Sequence, residues 1–451
     1  MTKSLFFEIT EKYLEGIIGR VVEKYNDKYT QEQYMHLTML QEEYSADLIW
    51  SSAEFANNIV AADVVPMDSS LPLKKRDSLS TAVGQVPKLG IAFSRSEKFI
   101  SDVQVMAARG AREAEIAAKI LADAARCVNG IIVREEILFQ QGLSTGMILV
   151  EDASNPSIGI RASFGYKAEN MFNVKNGKRW GETGAKPLDD IEQLFDKAQA
   201  DGNSIGGMIL SKSYFNKIRN SEQGKQLAAV YAGQVIVSLD ALMVPSREVM
   251  LNALADEYGC PFRTVDSAFR IEGKDGTTKT VKPWAEANVV GVPSLDNVGR
   301  LVYGTLAEET RPVNDVTYVK AGSHILVAEF GETNPLREHT TAQALCIPVI
   351  DNAQSIYVLF ADKTGKVVLS EDSVSFVAAG ETSESITINA DSACTISIPT
   401  TDTWLSKTVA ADGKSFTLTA DANVSTARTS KVTVTDADGN KAEVAVSQLG
   451  V

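Results

Sequence analysis

The segment from Ser96 to about Gln141 constrains the fold more than any other part of this 451-residue sequence. Small and apolar residues recur along it every three or four positions, a period that predicts an amphipathic helix. The stripe consists of Phe99, Val103, Met106, Gly110, Ala114, Ala117, Leu121, Ala124, Val128, Ile131 and Glu135. One continuous helix would be about 60 to 70 Å long at 1.5 Å per residue, with Gly110 and Gly130 as the positions where it would bend. We therefore predict a long rod against which sheets and other helices pack closely.

Two segments of different composition precede this helix. From Met1 to about Asn58, apolar residues recur at helical spacing, which predicts a helical arm with a second helix from Thr30 to Phe55. From Val60 to about Ser94, three prolines and two glycines exclude a helix, and apolar residues predict strands joined by a turn. Because isolated two-stranded ribbons are marginal in water, we expect this loop to rest on another surface.

The middle of the chain alternates between strands and helices. Met147 to about Thr340 begins with a short apolar strand and contains predicted helices at Pro187 to Ala200 and at Ser211 to Ala229. Ala342 to Phe360 is rich in β-forming residues. Since the sequence has no fixed-period repeat, this pattern predicts an α+β body.

The composition changes at about Ala361, after which Ser, Thr, Val, Ala and Asp dominate. Short alternating strands are predicted at Ser373 to Phe376, Ser385 to Asn389, Thr395 to Pro399, Ser415 to Thr419, Lys431 to Thr435 and Ala442 to Ser447. Asp-Gly turn signals separate some of them, as a β-sandwich requires. Ala361 to Thr364 is the predicted linker to this C-terminal domain.

The charge of the chain argues against a surface devoted to nucleic acid. The formal net charge is −14, whereas proteins that bind phosphate backbones tightly present clustered lysines and arginines. Lys74, Lys75 and Arg76 form the one compact basic group of the sequence, at the tip of the predicted loop. We interpret this group either as a solvated turn or as an anchor for acidic groups on a neighbouring subunit.

The sequence contains no recognisable catalytic or metal-binding motif. Its three histidines, His36, His324 and His339, lie near no nucleophile elbow or triad signature, which favours structural roles. Neither H-E-x-x-H nor C-x-x-C occurs, and the four cysteines are scattered, so reduced and mostly buried thiols are expected. We therefore predict no enzymatic activity, no cofactor and no metal site.

Trp404 has two interpretations. An exposed indole can stack on sugar rings, whereas a small β-sandwich also needs one bulky core residue. The Thr403-Trp404-Leu405 context favours burial. Glycan contact through Trp404 is the alternative.

No segment predicts export or insertion into a membrane. Met1 to Tyr13 has the pattern of neither a signal peptide nor an anchor. No later stretch approaches the ~18 uninterrupted apolar residues of a spanning helix. We expect the protein to stay on the side of the membrane where it is made.

Three stretches resemble the major capsid proteins of tailed phages, in particular their lambda-like branch. They are Arg76-Asp77 followed by Val86 to Gly90, Asn288 to Pro293 leading to Leu295 to Gly304, and Gly322 to Pro335 continuing to Thr340 to Pro348. The resemblance covers about Thr10 to Phe360. It implies an α+β capsid fold with an N-terminal arm (1–59), an extended β-loop (60–95), a peripheral domain with a long spine helix (96–203 and 319–361) and an axial domain (204–318).

The C-terminal segment resembles a BACON domain, a Bacteroidetes-associated immunoglobulin-like module. The matching residues are Trp404-Leu405, Phe416-Thr417-Leu418, Asn423, Arg428-Thr429-Ser430 and Val444 to Gly450. This resemblance implies an all-β immunoglobulin-like sandwich over 366–451, a host among gut Bacteroidetes, and contact with mucin or other glycans.

Together the resemblances imply a structural protein that assembles with copies of itself, as hexamers and pentamers, into the icosahedral shell of a virion. Assembly is expected in the cytoplasm of the bacterial host, with portal and scaffolding or decoration proteins as partners and non-specific contact with packaged double-stranded DNA. No membrane partner is expected. An encapsulin-like compartment and a secreted glycan-binding adhesin are the alternatives, and the missing export signal counts against the adhesin.

Overall fold

The structure is a computed structural model that describes residues 5–27, 33–51, 83–150, 160–175, 177–233, 242–273, 276–363, 367–390, 393–436 and 441–450. It divides into two compact units. The first contains Met1–Ser52, Ala82–Gly142 and Asp296–Asp351, and the second contains Leu143–Leu295 and Asn352–Val451. Lys74, Lys75 and Arg76 lie outside the described residues.

Helices and strands occur in both units, which confirms the predicted α+β class. The α-helices of the described residues are α1 (Leu5–Tyr25), α2 (His36–Met39), α3 (Glu97–Ala108), α4 (Glu113–Ile120), α5 (Ala122–Thr145), α6 (Pro187–Ala200), α7 (Lys212–Asn220), α8 (Glu222–Tyr231), α9 (Arg247–Tyr258) and α10 (Ala307–Thr310). Short 3₁₀ turns occur at Ala168–Asn170 and Ala353–Ser355.

The strands up to residue 360 belong to the two units as described below. They are β1 (Leu40–Tyr44), β2 (Ile49–Ser51), β3 (Val83–Gln85), β4 (Lys88–Ser96), β5 (Met147–Val150), β6 (Ile160–Ser163), β7 (Met171–Asn173), β8 (Gly207–Ser211), β9 (Phe262–Val265), β10 (Phe269–Glu272), β11 (Thr278–Val281), β12 (Asn288–Val292), β13 (Gly299–Gly304), β14 (Val316–Ala321), β15 (Ile325–Thr333), β16 (Leu336–Ile350) and β17 (Tyr357–Phe360). The remaining strands are β18 (Val368–Leu369), β19 (Ser373–Phe376), β20 (Ile386–Asn389), β21 (Thr395–Ser397), β22 (Leu405–Val409), β23 (Ser415–Ala420), β24 (Arg428–Thr435) and β25 (Lys441–Gln448).

A six-stranded sheet organises the first unit. Its order is β1-β13-β16-β15-β14, and β4 also pairs with β16. The 15-residue strand β16 pairs with β15 and β4 along its first part and with β13 along its last part. All of these pairs are antiparallel except β1 with β13. One long strand therefore joins both halves of the sheet.

The prediction of one long rod between Ser96 and Gln141 is wrong. The segment forms three helices, α3, α4 and α5, and the first break contains Gly110 at a φ of +81°. Such a left-handed conformation suits glycine and ends a helix. Gly130 does not interrupt α5; a Cβ there would lie 3.0 Å from Cδ1 of Ile91 in β4, so the glycine allows strand and helix to approach closely.

The N-terminal region also differs from the prediction. Helix α1 is present, and it buries Phe6, Ile9, Leu14 and Ile18 while contacting β14 and α4 of its own unit. The second helix predicted from Thr30 to Phe55 is wrong within the described residues. Only Gln33 and the four residues of α2 are helical among the described residues there, because the following segment pairs as β1 along β13 and as β2 along β3. Sheet pairing outweighs local helical spacing here.

The second unit is built on a five-stranded sheet of order β7-β17-β12-β8-β9. Helices α6 to α9 and this sheet share one apolar core, which includes Trp180, Phe215 and Tyr357. The prediction of α6 is confirmed at both ends. The helix predicted from Ser211 to Ala229 is instead two helices, because the Ser221 hydroxyl accepts a 3.0 Å hydrogen bond from Gly224 N and caps α8.

The C-terminal strands form two four-stranded sheets, β18-β20-β23-β22 and β19-β25-β24-β21. Side chains from both sheets share a core, which includes Val374, Phe376, Ile386, Phe416, Leu418, Val432, Val434, Val444 and Val446. All six strands predicted from the sequence are confirmed. β18 and β22 were not predicted. β18 has only two residues, and β22 exposes every residue after Leu405, so neither shows the alternation of a half-buried strand.

Candidate functional site

The residues singled out in the sequence do not converge on one site. Trp404 is half-buried and packs against the apolar core of the C-terminal sheets. The guanidinium carbon of Arg428 lies 4.5 Å from the centre of its indole ring. His339 stacks on Phe330 and pairs with Glu332 through a 3.0 Å contact.

The other two histidines converge on a group of buried ionisable side chains, which we call the His–Glu–Cys cluster. It consists of His36, Glu135, Glu136, His324 and Cys346. Four elements of the first unit supply them: the start of α2, the middle of α5, the turn before β15, and β16. Each side chain is at least nine-tenths buried.

Hydrogen bonds fix the geometry of the His–Glu–Cys cluster. Glu135 Oε1 lies 2.8 Å from His324 Nε2 and accepts a 3.1 Å contact from Cys346 Sγ. Glu136 Oε2 accepts a 2.9 Å hydrogen bond from the backbone N–H of His36 and lies 2.6 Å from His36 Nδ1. The other nitrogen of that ring, Nε2, lies 3.6 Å from Glu135 Oε2 and has no hydrogen-bond partner.

Burial and charge act in opposite directions on these groups. Burial alone would raise the pKa of Glu135, but the charge and hydrogen bond of His324, with the nearby imidazole of His36, hold the pKa at about 2. Burial alone would lower the pKa of His36, but the neighbouring carboxylates of Glu135 and Glu136 raise the pKa to about 9. Burial, with the charge of Glu135, holds the pKa of Cys346 well above its usual range. The two carboxylates therefore require compensating positive charge.

A cavity of about 330 Å³ lies beside the His–Glu–Cys cluster. His36, Glu135 and His324 line it, together with apolar residues of α1, α5 and β13 and the exposed Glu42. No pattern in the sequence indicates this site. Glu135 is 189 residues from His324 and 211 from Cys346, so no local spacing motif can show that the fold brings them together.

A second feature is the short ribbon formed by β2 and β3. Trp50 lies on one face and is buried against Gly84, where a Cβ would come within 2.8 Å of the indole ring. Ile49 and Val83 are on the opposite face, 46% and 62% exposed. We call these two residues the ribbon face.

The family model of phage major capsid protein E matches residues 17–324, which is more than half of the chain. The chain belongs to the phage major capsid protein E family. It is therefore a structural protein of the phage capsid. Membership in the capsid protein E family confirms the predicted capsid resemblance, whereas the lambda-like branch and the BACON domain stay predictions.

Solved structures of low identity also align with this member of the capsid protein E family. A protein assigned as the capsid protein of a prophage of E. coli CFT073 is 14% identical, with 77% of this chain and 98% of that chain aligned and a TM-score of 0.47. A phage-related protein from Bordetella bronchiseptica RB50 is 10% identical over 77% of this chain and 96% of that chain, with a TM-score of 0.43. A virus-like particle from Pyrococcus furiosus is 12% identical over 77% and 98%, with a TM-score of 0.33. No curated protein matches the chain in sequence.

None of the described helices of this capsid protein E family member combines the length and apolar content needed to cross a bilayer.

Proposed function

We propose that copies of this chain assemble, as hexamers and pentamers, into an icosahedral shell of the lambda-like kind that encloses double-stranded phage DNA. The observation that carries the proposal is the ribbon face. Large apolar side chains on a soluble surface mark interaction sites when they lie together and remain uncovered. In a shell, each such patch meets a different patch on the next copy, and the contacts close on themselves.

The ribbon is suited to this role because, among the described residues, one of its faces is buried and the other is partly exposed. Trp50 anchors the ribbon, since its side chain is 3% exposed. A two-stranded ribbon is marginal alone, so contact with a neighbouring copy on the face of Ile49 and Val83 would stabilise it further. We extend this role to the predicted loop of residues 60–95. Its basic group, Lys74 to Arg76, would then contact a neighbouring subunit.

A second apolar surface supports self-association through the predicted axial domain of 204–318. Val230 and Tyr231 at the end of α8 are exposed, as are Met243 and Val244 before α9. Each of these side chains is large and at least 46% exposed. They are candidates for contacts around the centre of a capsomer.

Charged substitutions on the ribbon face test the proposal. The double variant Ile49→Asp, Val83→Asp is expected to fold and to remain unassembled, because assembly would desolvate two carboxylates at the interface. The control is Val424→Asp in the C-terminal domain, where the wild-type side chain is 89% exposed and lies far along the chain from both predicted contact surfaces. Sedimentation should show large particles for the control and wild type only; normal particles from the double variant would refute a role for the ribbon face.

A loop replacement tests the longer segment. Ser51 pairs with Val83, so the ribbon can be closed by an Asn-Gly turn in place of residues 52–82. This variant keeps β4, which a larger deletion from Val60 to Ser94 would remove from the sheet. We expect a folded, unassembled chain. Particles of normal size would show that these residues are dispensable for assembly.

For the C-terminal residues we propose an immunoglobulin-like domain of the BACON kind that is displayed on the shell and contacts host or mucus glycans. The separate core shared by its two sheets supports this proposal. Display in many copies would convert weak glycan affinity into avidity. Trp404 is the candidate glycan contact, although Arg428 already covers part of its ring.

Truncation after Lys363 tests the display role. Lys363 is kept because its carbonyl accepts a 3.0 Å hydrogen bond from Val174 N in the body. Removal of residues 364–451 is expected to leave shells intact and to weaken their adherence to mucin. Unchanged adherence would reduce the domain to decoration or shell reinforcement.

A further inference from the structure

We propose that Glu135, His324 and Cys346, together with His36, bind one divalent cation of the zinc class inside the first unit. This site is independent of the assembly proposed above, because all four side chains belong to one copy of the chain and lie in its interior.

The donor atoms are suitably placed and of the right chemical type. One carboxylate oxygen, one imidazole nitrogen and one sulfur, from Glu135, His324 and Cys346, lie within 4.8 Å of one another. Zinc prefers such mixed N, O and S sets in tetrahedral geometry, with ligand atoms about 3.4 Å apart. The observed separations of 2.8 and 3.1 Å from Glu135 Oε1 mean that the carboxylate must move by a few tenths of an ångström to admit the ion.

His36 supplies the second, independent observation. Its Nε2 is buried, lies 3.6 Å from Glu135 Oε2 and has no hydrogen-bond partner. It lies outside the group of three donor atoms that are within 4.8 Å of one another, so the site must contract to include His36 as the fourth ligand. Its Nδ1 is held by Glu136 at 2.6 Å, which fixes the orientation of the ring. A carboxylate behind a histidine is the usual arrangement around protein-bound metals, because it sets the tautomer and strengthens the ligand. Glu136 is therefore a positioning residue in this site.

His324 has a similar arrangement. Ser323 Oγ lies 3.1 Å from its Nδ1, which leaves Nε2 directed at Glu135. In both imidazoles, Nδ1 makes the contact that orients the ring, and Nε2 is directed at Glu135.

The charge of the cluster also favours a cation. Two buried carboxylates cannot remain ionised without positive charge close by. A divalent ion supplies that charge in place of two imidazolium protons. When Cys346 binds it as a thiolate, the thiol proton is released to solvent, and no oxidant or reductant is needed.

An ion has a route to the site. The 330 Å³ cavity is lined by three of the four proposed ligands, His36, Glu135 and His324, and by the exposed Glu42. Once bound, the ion would join α2, α5, the turn before β15, and β16. It would therefore stabilise the first unit against unfolding, since a preformed site is absent from the unfolded chain.

Cobalt(II) titration of the chelator-treated, unassembled full-length chain tests this proposal. Cobalt reports tetrahedral geometry by its visible bands and a thiolate ligand by a near-ultraviolet charge-transfer band. We expect one equivalent to bind with both signals, zinc to displace it, and the melting temperature to rise with zinc concentration. No binding by the folded wild-type chain would overturn the proposal.

Two buried cysteines provide a matched comparison. Cys346→Ser is expected to lose the charge-transfer band and to bind at least about tenfold more weakly, whereas Cys127→Ser should bind like wild type. Cys127 is equally buried but donates to Thr340 O. Identical cobalt spectra from the two variants would refute thiolate ligation by Cys346.

A third variant distinguishes ligand from positioning residue and does not depend on Cys346→Ser folding. Glu136→Gln should keep the charge-transfer band while weakening cobalt binding by about tenfold. Unchanged affinity would exclude the proposed role of Glu136 and His36. Failure of shell assembly would leave all of these measurements unaffected, because they are made on unassembled chains.

Discussion

Thr10 in α1 donates a 2.9 Å hydrogen bond to the buried carboxylate of Glu329 in β15, a residue 319 positions further along the chain. Thr340 donates to the other oxygen at 2.9 Å, and a guanidinium nitrogen of Arg95 lies 3.8 Å from it. The N-terminal helix is thus joined to the sheet of the first unit by a specific polar contact as well as by apolar packing.

Loss of the Thr10 hydroxyl should destabilise the first unit. Thr10→Val keeps the shape of the side chain but leaves one oxygen of a buried carboxylate without its donor, which costs about 1–2 kcal/mol. Urea unfolding of the unassembled chain measures the effect. Thr38→Val is the control, because that hydroxyl donates to the carbonyl of Met35 in its own turn. Equal losses of unfolding free energy in both variants would contradict the proposed link between Thr10 and Glu329.

The Glu329 carboxyl should make stability depend on pH. Burial raises its pKa, an effect only partly offset by Arg95, Thr340 and Thr10. A raised pKa gives stability that is present below the unfolded pKa and is lost as the pH rises through the folded pKa. Glu329→Gln removes this titration, so the variant should gain free energy of unfolding relative to wild type between pH 4 and pH 8. A constant difference over that range would be inconsistent with this account.

Two glycines of the same sheet should respond differently to substitution. A Cβ at Gly299 in β13 would lie 2.0 Å from the carbonyl oxygen of Val349 in β16, whereas at Gly90 in β4 the nearest atom is 3.8 Å away. We expect Gly299→Ala to cost about 2–4 kcal/mol, because backbone must move, and Gly90→Ala to change stability by under about 1 kcal/mol. Thermal unfolding of both variants checks the order, and a similar melting temperature for both would contradict it.

A core substitution should unfold the C-terminal domain alone. Phe416 is 1% exposed and packs in the core shared by the two C-terminal sheets. Phe416→Ala should cost about 3–5 kcal/mol, enough to unfold a domain of this size. Limited proteolysis should then remove the domain from particles that otherwise keep their size. Resistance to proteolysis equal to that of wild type would argue against a separately stabilised domain.

The sequence predicted elements whose pattern is set locally. Helix α6 and the strand β19 agree at both ends, because Pro187 marks the helix start and alternation defines the strand. The long helix is broken at Gly110, one of the two positions where a bend was expected, and again at Leu121 between α4 and α5. The helix predicted from Thr30 to Phe55 does not continue after Met39, because β1 pairs with β13, a strand far along the chain. This pairing outweighs the local helical spacing.

The buried cluster was beyond sequence reasoning for the same physical reason. Each of its members alone has a plain structural interpretation, and only the pairing of β16 with its neighbours places Cys346 beside Glu135. The predicted contact residues Lys74, Lys75 and Arg76 stay a prediction, as does a glycan role for Trp404.

Electron microscopy of the purified full-length chain over a range of concentrations tests the central claim most directly. Self-assembly through contacts between copies predicts closed, uniform shells that appear above a threshold concentration and are lost in the Ile49→Asp, Val83→Asp variant. A chain that remains monomeric at every concentration would contradict the account.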